Sequence, residues 1–182
     1  MKRECQVALL RGINVGTAKR VAMADLRALV EDLGYRNART LLNSGNVVFD
    51  VLGASRTDPA TRIEKAMAAR LGVSARVIVI TANELDTIIA GNPLLKLATD
   101  PARLFVIVLG APADRKRLEP LVKQDWAPGK LALGKRVAYL WCPEGQLESR
   151  LAIAVGRAHG EAGTARNWNT MLKLHALVAK TA

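Results

Sequence analysis

The chain has 182 residues with 27 Lys and Arg against 16 Asp and Glu, which gives a formal net charge of +11. Hydrophobic residues make up 50% of it, a composition that excludes a disordered chain and allows a buried core. No apolar run approaches the roughly 18 residues that a membrane helix needs. Charge interrupts the start of the chain, which therefore does not resemble a signal peptide. We expect a cytoplasmic protein with no membrane partner.

The reactive side chains give little support for metal or redox chemistry. Cys5 and Cys142 form no CxxC pair, which is typical of reduced thiols in a cytoplasmic protein. His159 and His175 do not complete a zinc site, because no pair of ligands has finger-like spacing. We therefore expect neither a metal ion nor a cofactor.

The first half of the chain alternates short apolar runs with amphipathic segments. The β-branched and apolar runs predict strands, and apolar residues three and four positions apart predict helices. The predicted order is strand 6–12, helix 23–34, strand 39–43, strand 47–51, helix 57–72 and strand 76–80. This β-α-β-β-α-β order is that of the ferredoxin-like plait, for which we expect one antiparallel sheet with helices on one face.

Helix boundaries in this half have recognisable signals. Asp58 is a predicted N-cap, with Pro59 at the first helical position and Gly72 after the last turn. Thr81 and Glu84 have the spacing of a capping box and predict another short helix.

The second half repeats this order without clear sequence identity. A strand at 103–110, a helix at 113–125 interrupted by Pro120, a hairpin at 130–142 and a helix at 146–160 are predicted, and residues 167–180 predict a final helix rather than a closing strand. The fold class is therefore α+β, with two intertwined ferredoxin-like subdomains and antiparallel sheets. The predicted domains are 1–81, a connecting helix and loop at 82–102, and 103–182.

A candidate site follows from the predicted topology of the first half. The plait brings the end of the first strand, "RGINVG" (11–16), beside the turn "NSGN" (43–46). Main-chain NH groups freed by glycines, together with Arg11 and Arg39, could bind an anion or a polar ligand. Turn chemistry alone also explains these Gly and Asn residues. Gly45 is predicted at a positive φ. Our hypothesis is that Asn43 and Asn46 serve both the turn and a polar site with Arg11 and Asn14, which Arg166 could also join.

A second polar cluster is "TARNWNTMLK" (164–173). Arg166 and Lys173 beside a helix N-terminus would favour an anion. The alternative is structural, with Asn167 or Asn169 as the helix cap and Trp168 in the core.

Several better-known motifs are absent. "GKLALGKR" (129–136) nearly matches a phosphate-binding loop, but it lies in a predicted hairpin and has Arg136 where Ser or Thr is needed. The spacing of Gly12 and Gly16 does not fit a dinucleotide fingerprint. RNA binding by stacking on the sheet is also disfavoured, because Phe49 is the only aromatic residue on the two relevant strands. Binding of nucleic acid through charge alone stays open.

Three stretches together resemble a bacterial family called domain of unknown function 1697. They are "ALLRGINVG", "MADLRALVEDLGYRNARTLLNSGNVVFD" and "TARNWNTMLKL", and the resemblance runs from the first strand to the final helix. It implies an α+β protein of two ferredoxin-like-related subdomains. No activity is established for the family, so the resemblance implies no catalytic residue. Thr17 and Ala22 depart from the glycine and proline of the first family motif.

These observations lead to one functional hypothesis and two alternatives. We expect binding of a small anionic or polar, nucleotide-like ligand. The alternatives are a metal-independent enzyme acting on such a ligand and weak charge-driven binding of nucleic acid. The candidate ligand-binding residues are Arg11, Gly12, Asn14, Asn43, Ser44, Asn46, Arg166 and Asn167.

Overall fold

A computed structural model describes residues 3–17, 19–53 and 58–180. By its internal contacts the chain forms two units. The first comprises Met1–Leu85 and Lys173–Ala182, and the second comprises Asp86–Leu172. The last turns of the C-terminal helix thus group with the first unit, a feature that the sequence pattern does not reveal.

The first unit is built on a four-stranded antiparallel sheet with the strand order β2-β3-β1-β4. Its elements are β1 (Arg3–Leu10), α1 (Met23–Asp32), β2 (Arg36–Leu41), β3 (Asn46–Leu52), α2 (Pro59–Leu71) and β4 (Val77–Thr81), followed by α3 (Ala82–Ala90), which crosses the boundary between the units. The first strand pairs antiparallel to the third, as predicted.

Local signals end the helices where the sequence predicts. The Asp58 carboxylate accepts a hydrogen bond from the main-chain NH of Thr61 at 3.1 Å, and Pro59 begins α2. Gly72 ends that helix in the left-handed conformation, at φ 64°. Before α3, Thr81 and Glu84 exchange hydrogen bonds between side chain and main chain, so the predicted capping box is confirmed.

Helices α1 and α2 cover the same face of the first sheet. Alternation along β1 and β3 directs one set of side chains toward them. The shared core contains Ala8, Leu10, Leu26, Leu29, Val30, Val47, Phe49, Val51, Ile63 and Met67. Tyr35 adds a tilted ring contact with Phe49, with 4.8 Å between ring centroids. Helices on one face, as the sequence predicts, therefore enclose this core.

The second unit repeats the arrangement with the strand order β6-β7-β5-β8. Its elements are β5 (Leu104–Leu109), a 3-10 helix (Pro112–Arg117), α4 (Glu119–Val122), β6 (Lys130–Leu133), β7 (Val137–Trp141), α5 (Arg150–His159) and β8 (Gly163–Asn167). The start of α6 (Trp168–Ala179) also belongs to this unit, and the helix from Lys173 onward groups with the first. The two four-stranded antiparallel sheets with their helices confirm the predicted α+β class.

Two details of this unit correct the sequence analysis. The predicted helix at 113–125 is divided into a 3-10 helix and one turn of α-helix, with Pro120 at the start of the second piece. The predicted final helix is present as α6, but a closing strand, β8, precedes it, so the expectation of a helix without a closing strand was wrong. "GTARN" has only one β-branched residue, and pairing with the apolar strand β5 makes it a strand.

Among the residues that the structure describes, no helix has both the length and the apolar character needed to cross a membrane.

Candidate functional site

The predicted meeting of the two Gly/Asn-rich loops is confirmed in the first unit. The side-chain Nδ2 of Asn14 donates to the carbonyl oxygen of Asn43 at 2.8 Å. The main-chain NH of Leu10 donates to the carbonyl oxygen of Gly45, also at 2.8 Å. Loops 11–16 and 43–46 therefore lie together at one end of the sheet.

Gly45 has two reasons to be glycine. Its φ of 81° confirms the predicted turn position. A Cβ there would also lie 2.7 Å from Ile13 Cδ1 and 2.8 Å from Leu10 Cβ, closer than such atoms can approach. This steric restriction on Gly45 exists because the turn packs against the loop that follows β1.

Asn14 organises the loop that follows β1. It takes a left-handed conformation, with φ 55°, which asparagine tolerates better than most residues. Its Nδ2 donates to the carbonyl of Val21 at 2.9 Å, and its Oδ1 accepts from the NH of Val21 at 2.8 Å. With the bond to Asn43 included, both polar atoms of the Asn14 side chain bind main-chain groups, and they hold the two loops in place.

The asparagines of the turn differ in role. Asn46 is fully buried, and its Nδ2 donates to the Leu41 carbonyl at 2.8 Å and to Ser44 Oγ at 3.0 Å. These bonds return to its own hairpin, which is what a residue serving the turn should do. Asn43 is exposed, and its carbonyl receives the bond from Asn14. Of the two, Asn43 has the side chain available to a ligand.

Positive charge surrounds the loops. Residues 11–20 include Arg11, Lys19 and Arg20 and no acidic residue. Arg20 Nη2 bonds the carbonyl of Gly16 at 2.5 Å, which closes the loop on itself. Gly12 is exposed at φ 66°, so its backbone is open to solvent.

Sequence reasoning missed Arg76 and misplaced Arg39. The carbonyl of Arg76 accepts a hydrogen bond from the NH of Arg11 at 2.8 Å, and its guanidinium is 3.4 Å from Glu64. The available signal was its position just before β4, whose first residue pairs with the end of β1. Arg39 was expected near the loops, but its Nη2 donates to the carbonyl of Leu177 on α6 at 3.1 Å.

Arg166 and Asn167 belong to the second unit. Arg166, on β8, is 8% exposed, and its Nη1 donates to Thr164 Oγ1 and to the Ala165 carbonyl. Burial lowers the pKa of this guanidinium to about 10, so it stays charged at neutral pH. Asn167 Oδ1 accepts from the NH and hydroxyl of Thr170, which confirms the predicted cap of α6. Both residues have structural contacts within their own unit.

The thiols are not in the environment that activates a nucleophile. Burial, followed by the nearby Asp50 carboxylate, raises the pKa of Cys5. Burial likewise raises the pKa of Cys142. A reactive cysteine needs the opposite shift. Within the described ranges, no group of three or more His, Cys, Asp or Glu side chains could hold a metal ion.

A comparison with sequence models of protein families shows which family the chain belongs to. The sequence model of the family described as "Protein of unknown function (DUF1697)" matches residues 3–139, about three quarters of the chain. The chain belongs to this family. The matched range contains both loops of the first unit, whereas Arg166 and Asn167 lie beyond it.

A solved structure shares the fold of this DUF1697 protein. It is a conserved bacterial protein from Streptococcus pneumoniae, with 20% sequence identity and a TM-score of 0.74. The match covers 97% of this chain and 99% of that one. At this identity the likeness shows the fold alone. A comparison with curated proteins finds no match.

Proposed function

We propose that the first unit binds a small anionic or polar ligand, nucleotide-like in its phosphate chemistry, on loops 11–16 and 43–46. The observation that carries the proposal is the hydrogen bond from Asn14 Nδ2 to the Asn43 carbonyl, which joins two Gly/Asn-rich loops beside exposed cations. The proposal rests on residues of the first unit. Because the two cysteines are free thiols, we further propose a cytoplasmic location for the protein.

The chemistry of binding follows from what the loops expose. Gly12 and Gly16 are exposed, and within the described ranges their main-chain NH groups donate no hydrogen bond, so these groups are available to an anion. Lys19 is exposed, and Arg11 and Arg20 add positive charge to the same stretch of chain. Fixed NH donors and cations together favour phosphate or carboxylate oxygens. Asn43 can add a side-chain amide.

A thermal-shift titration with inorganic phosphate, pyrophosphate and ATP tests the proposal. A ligand at 100 times its dissociation constant stabilises the folded state by about 2.7 kcal/mol. We expect saturable stabilisation by at least one of these anions and a loss of that effect in Arg11→Ala. Arg27→Ala is the matched control, since Arg27 is an exposed arginine of α1 and lies outside the loops.

The result that would overturn the proposal is no stabilisation by any of the three anions, or equal loss in Arg11→Ala and Arg27→Ala. Release of phosphate from pyrophosphate or ATP by the wild-type protein, absent in Arg11→Ala, would favour the alternative of a metal-independent enzyme. That assay should be run with and without a chelator.

Weak binding of nucleic acid is the second alternative, and the net charge of +11 favours it. Binding driven by phosphate neutralisation falls steeply with salt, in proportion to the number of phosphates contacted. Titration of a labelled oligonucleotide at several salt concentrations separates the cases. Affinity that falls steeply with salt, and that Arg11→Ala and Arg27→Ala reduce equally, would indicate binding by diffuse charge rather than a site on the loops.

A further inference from the structure

A groove follows the edge strand β6 in the second unit. One cavity, of about 740 Å³, lies between residues 115–123 and Leu133. A second, of about 150 Å³, lies between residues 122–127 and residues 129–131. Val122 lines both cavities. The two cavities together therefore run beside β6 from Leu133 back to Lys130.

The backbone of β6 has one free side. Within the described ranges β6 pairs only with β7 and is the first strand in the sheet order. The NH of Gly134 donates to the Val137 carbonyl at 2.7 Å, so the alternation of an antiparallel ladder turns the NH and C=O of Leu131 and Leu133 away from β7. No other hydrogen bond between described residues involves those backbone groups. They can therefore pair with an added strand.

The walls of the groove are basic with an apolar floor. Lys116, Lys123 and Lys130 are exposed and form no salt bridge with any described residue. The acidic residue of the larger cavity, Glu119, is 3.2 Å from Arg115 Nη1. The acidic residue of the smaller cavity, Asp125, accepts a hydrogen bond from the NH of Ala127 at 3.0 Å, so lysines outnumber the carboxylates along the groove. Val122 is 46% exposed although it is apolar. The surface thus offers positive charge beside uncovered apolar area.

We propose that this groove binds an extended acidic peptide segment of a partner protein, which adds as a strand to the free edge of β6. The peptide's main chain would bond to Leu131 and Leu133, the mode known as β-augmentation. Its side chains alternate between two faces, so the acidic residues of one face can reach Lys116 and Lys123 in the cavity that Val122 and Leu133 also line. Charge complementarity selects the acidic segment.

The same charges disfavour a second copy of this chain as the occupant. Pairing two β6 strands would bring the lysines of both copies together along one edge, and like charges there are repulsive. An acidic partner relieves that repulsion instead.

The test uses fluorescein-labelled eight-residue peptides and fluorescence anisotropy with the full chain. The probe is a peptide of alternating Glu and Val. A peptide of alternating Lys and Val controls for charge, and a Glu-Val peptide with N-methyl groups on alternate residues controls for main-chain bonding. We expect saturable binding of the Glu-Val peptide and at least roughly tenfold weaker binding of both controls.

Two sets of variants locate the site. Lys116→Glu with Lys123→Glu should weaken binding about tenfold, whereas Lys96→Glu with Arg157→Glu, exposed residues elsewhere in the unit, should leave it within threefold. Leu133→Pro removes an outward NH and should abolish binding, while Leu133→Ala keeps that NH and should retain most of it. Circular dichroism confirms that each variant is folded.

The proposal is overturned if the Glu-Val and Lys-Val peptides bind equally, or if neither binds. It is equally overturned if the N-methylated peptide binds as well as the probe, since strand addition would then not occur. A third result would also overturn it: the chain self-associates, Leu133→Pro removes the self-association, and the Glu-Val peptide does not compete with it. The edge would then belong to a second copy of the chain.

Discussion

The side chain of Asn14 reaches across 2.8 Å to the carbonyl of Asn43 and so ties the loop after β1 to the turn between β2 and β3. The two residues are 29 positions apart in the chain. Their contact joins the two halves of the proposed ligand site, and it makes the shape of one loop depend on the other.

Asn14→Ala should therefore destabilise the protein by about 2 to 4 kcal/mol, because it removes three hydrogen bonds and places alanine at φ 55°. Asn14→Gly loses the same bonds without the conformational strain and should cost about 1 kcal/mol less. Urea unfolding of both variants measures the difference. Equal stabilities of the two variants would mean that strain at this position is negligible.

Gly45→Ala should cost about 2 to 4 kcal/mol, because overlap with Ile13 and Leu10 adds to the strain of a positive φ. Gly72→Ala provides the matched control. Gly72 also has a positive φ, of 64°, but a Cβ there would meet nothing within 4 Å, so about 1 kcal/mol is expected. Denaturant unfolding measures both. If Gly45→Ala lowered the free energy of unfolding no more than Gly72→Ala does, the close approach of the loops would not contribute to the cost of the substitution.

Asp50→Asn should lower the pKa of the Cys5 thiol. The two residues face each other across β1 and β3, and the Asp50 carboxylate is the second cause, after burial, of the raised pKa of Cys5. The rate at which iodoacetamide alkylates Cys5, measured against pH in a Cys142→Ala background, gives the pKa of the thiol as the midpoint of the curve. Glu4→Gln is the control, because Glu4 bonds to Gln6 and is not a cause of the shift. An unchanged midpoint in Asp50→Asn would contradict the prediction.

Tyr139→Phe should have a pH-dependent effect on stability. At neutral pH it should cost about 1 kcal/mol, since the hydroxyl donates to the Ile88 carbonyl at 2.9 Å. Burial raises the pKa of Tyr139 from 10.0 to about 12. Between these values the unfolded chain loses a proton that the folded protein keeps, so this contribution to stability falls as pH rises.

By pH 11 the wild type should have lost about 1.4 kcal/mol of this contribution, so its advantage over Tyr139→Phe should disappear. Urea unfolding of both proteins at pH 8 and pH 11 measures the change, and other titrating groups cancel in the comparison. A constant difference between the two proteins across this range would show that Tyr139 ionises alike in both states.

Features that depend on neighbouring residues could be predicted from the sequence. Asp58, Pro59 and Gly72 bound α2 because capping, a restricted φ and a left-handed stop act within one turn of helix. The positive φ of Gly45 and the order of the elements follow from equally local preferences. The antiparallel order of the first sheet then placed the two loops at one end.

Only the tertiary structure decided what depends on distant partners. The "GTARN" segment becomes β8 because β5 supplies its hydrogen bonds, although its own residues have little strand propensity. Asn46 serves its hairpin because folding buries it completely. The groove beside β6 exists because residues 115–127 pack near an edge whose outward backbone groups have no strand beside them within the described ranges. Such contacts join residues far apart in the chain, and short-range sequence patterns carry no information about them.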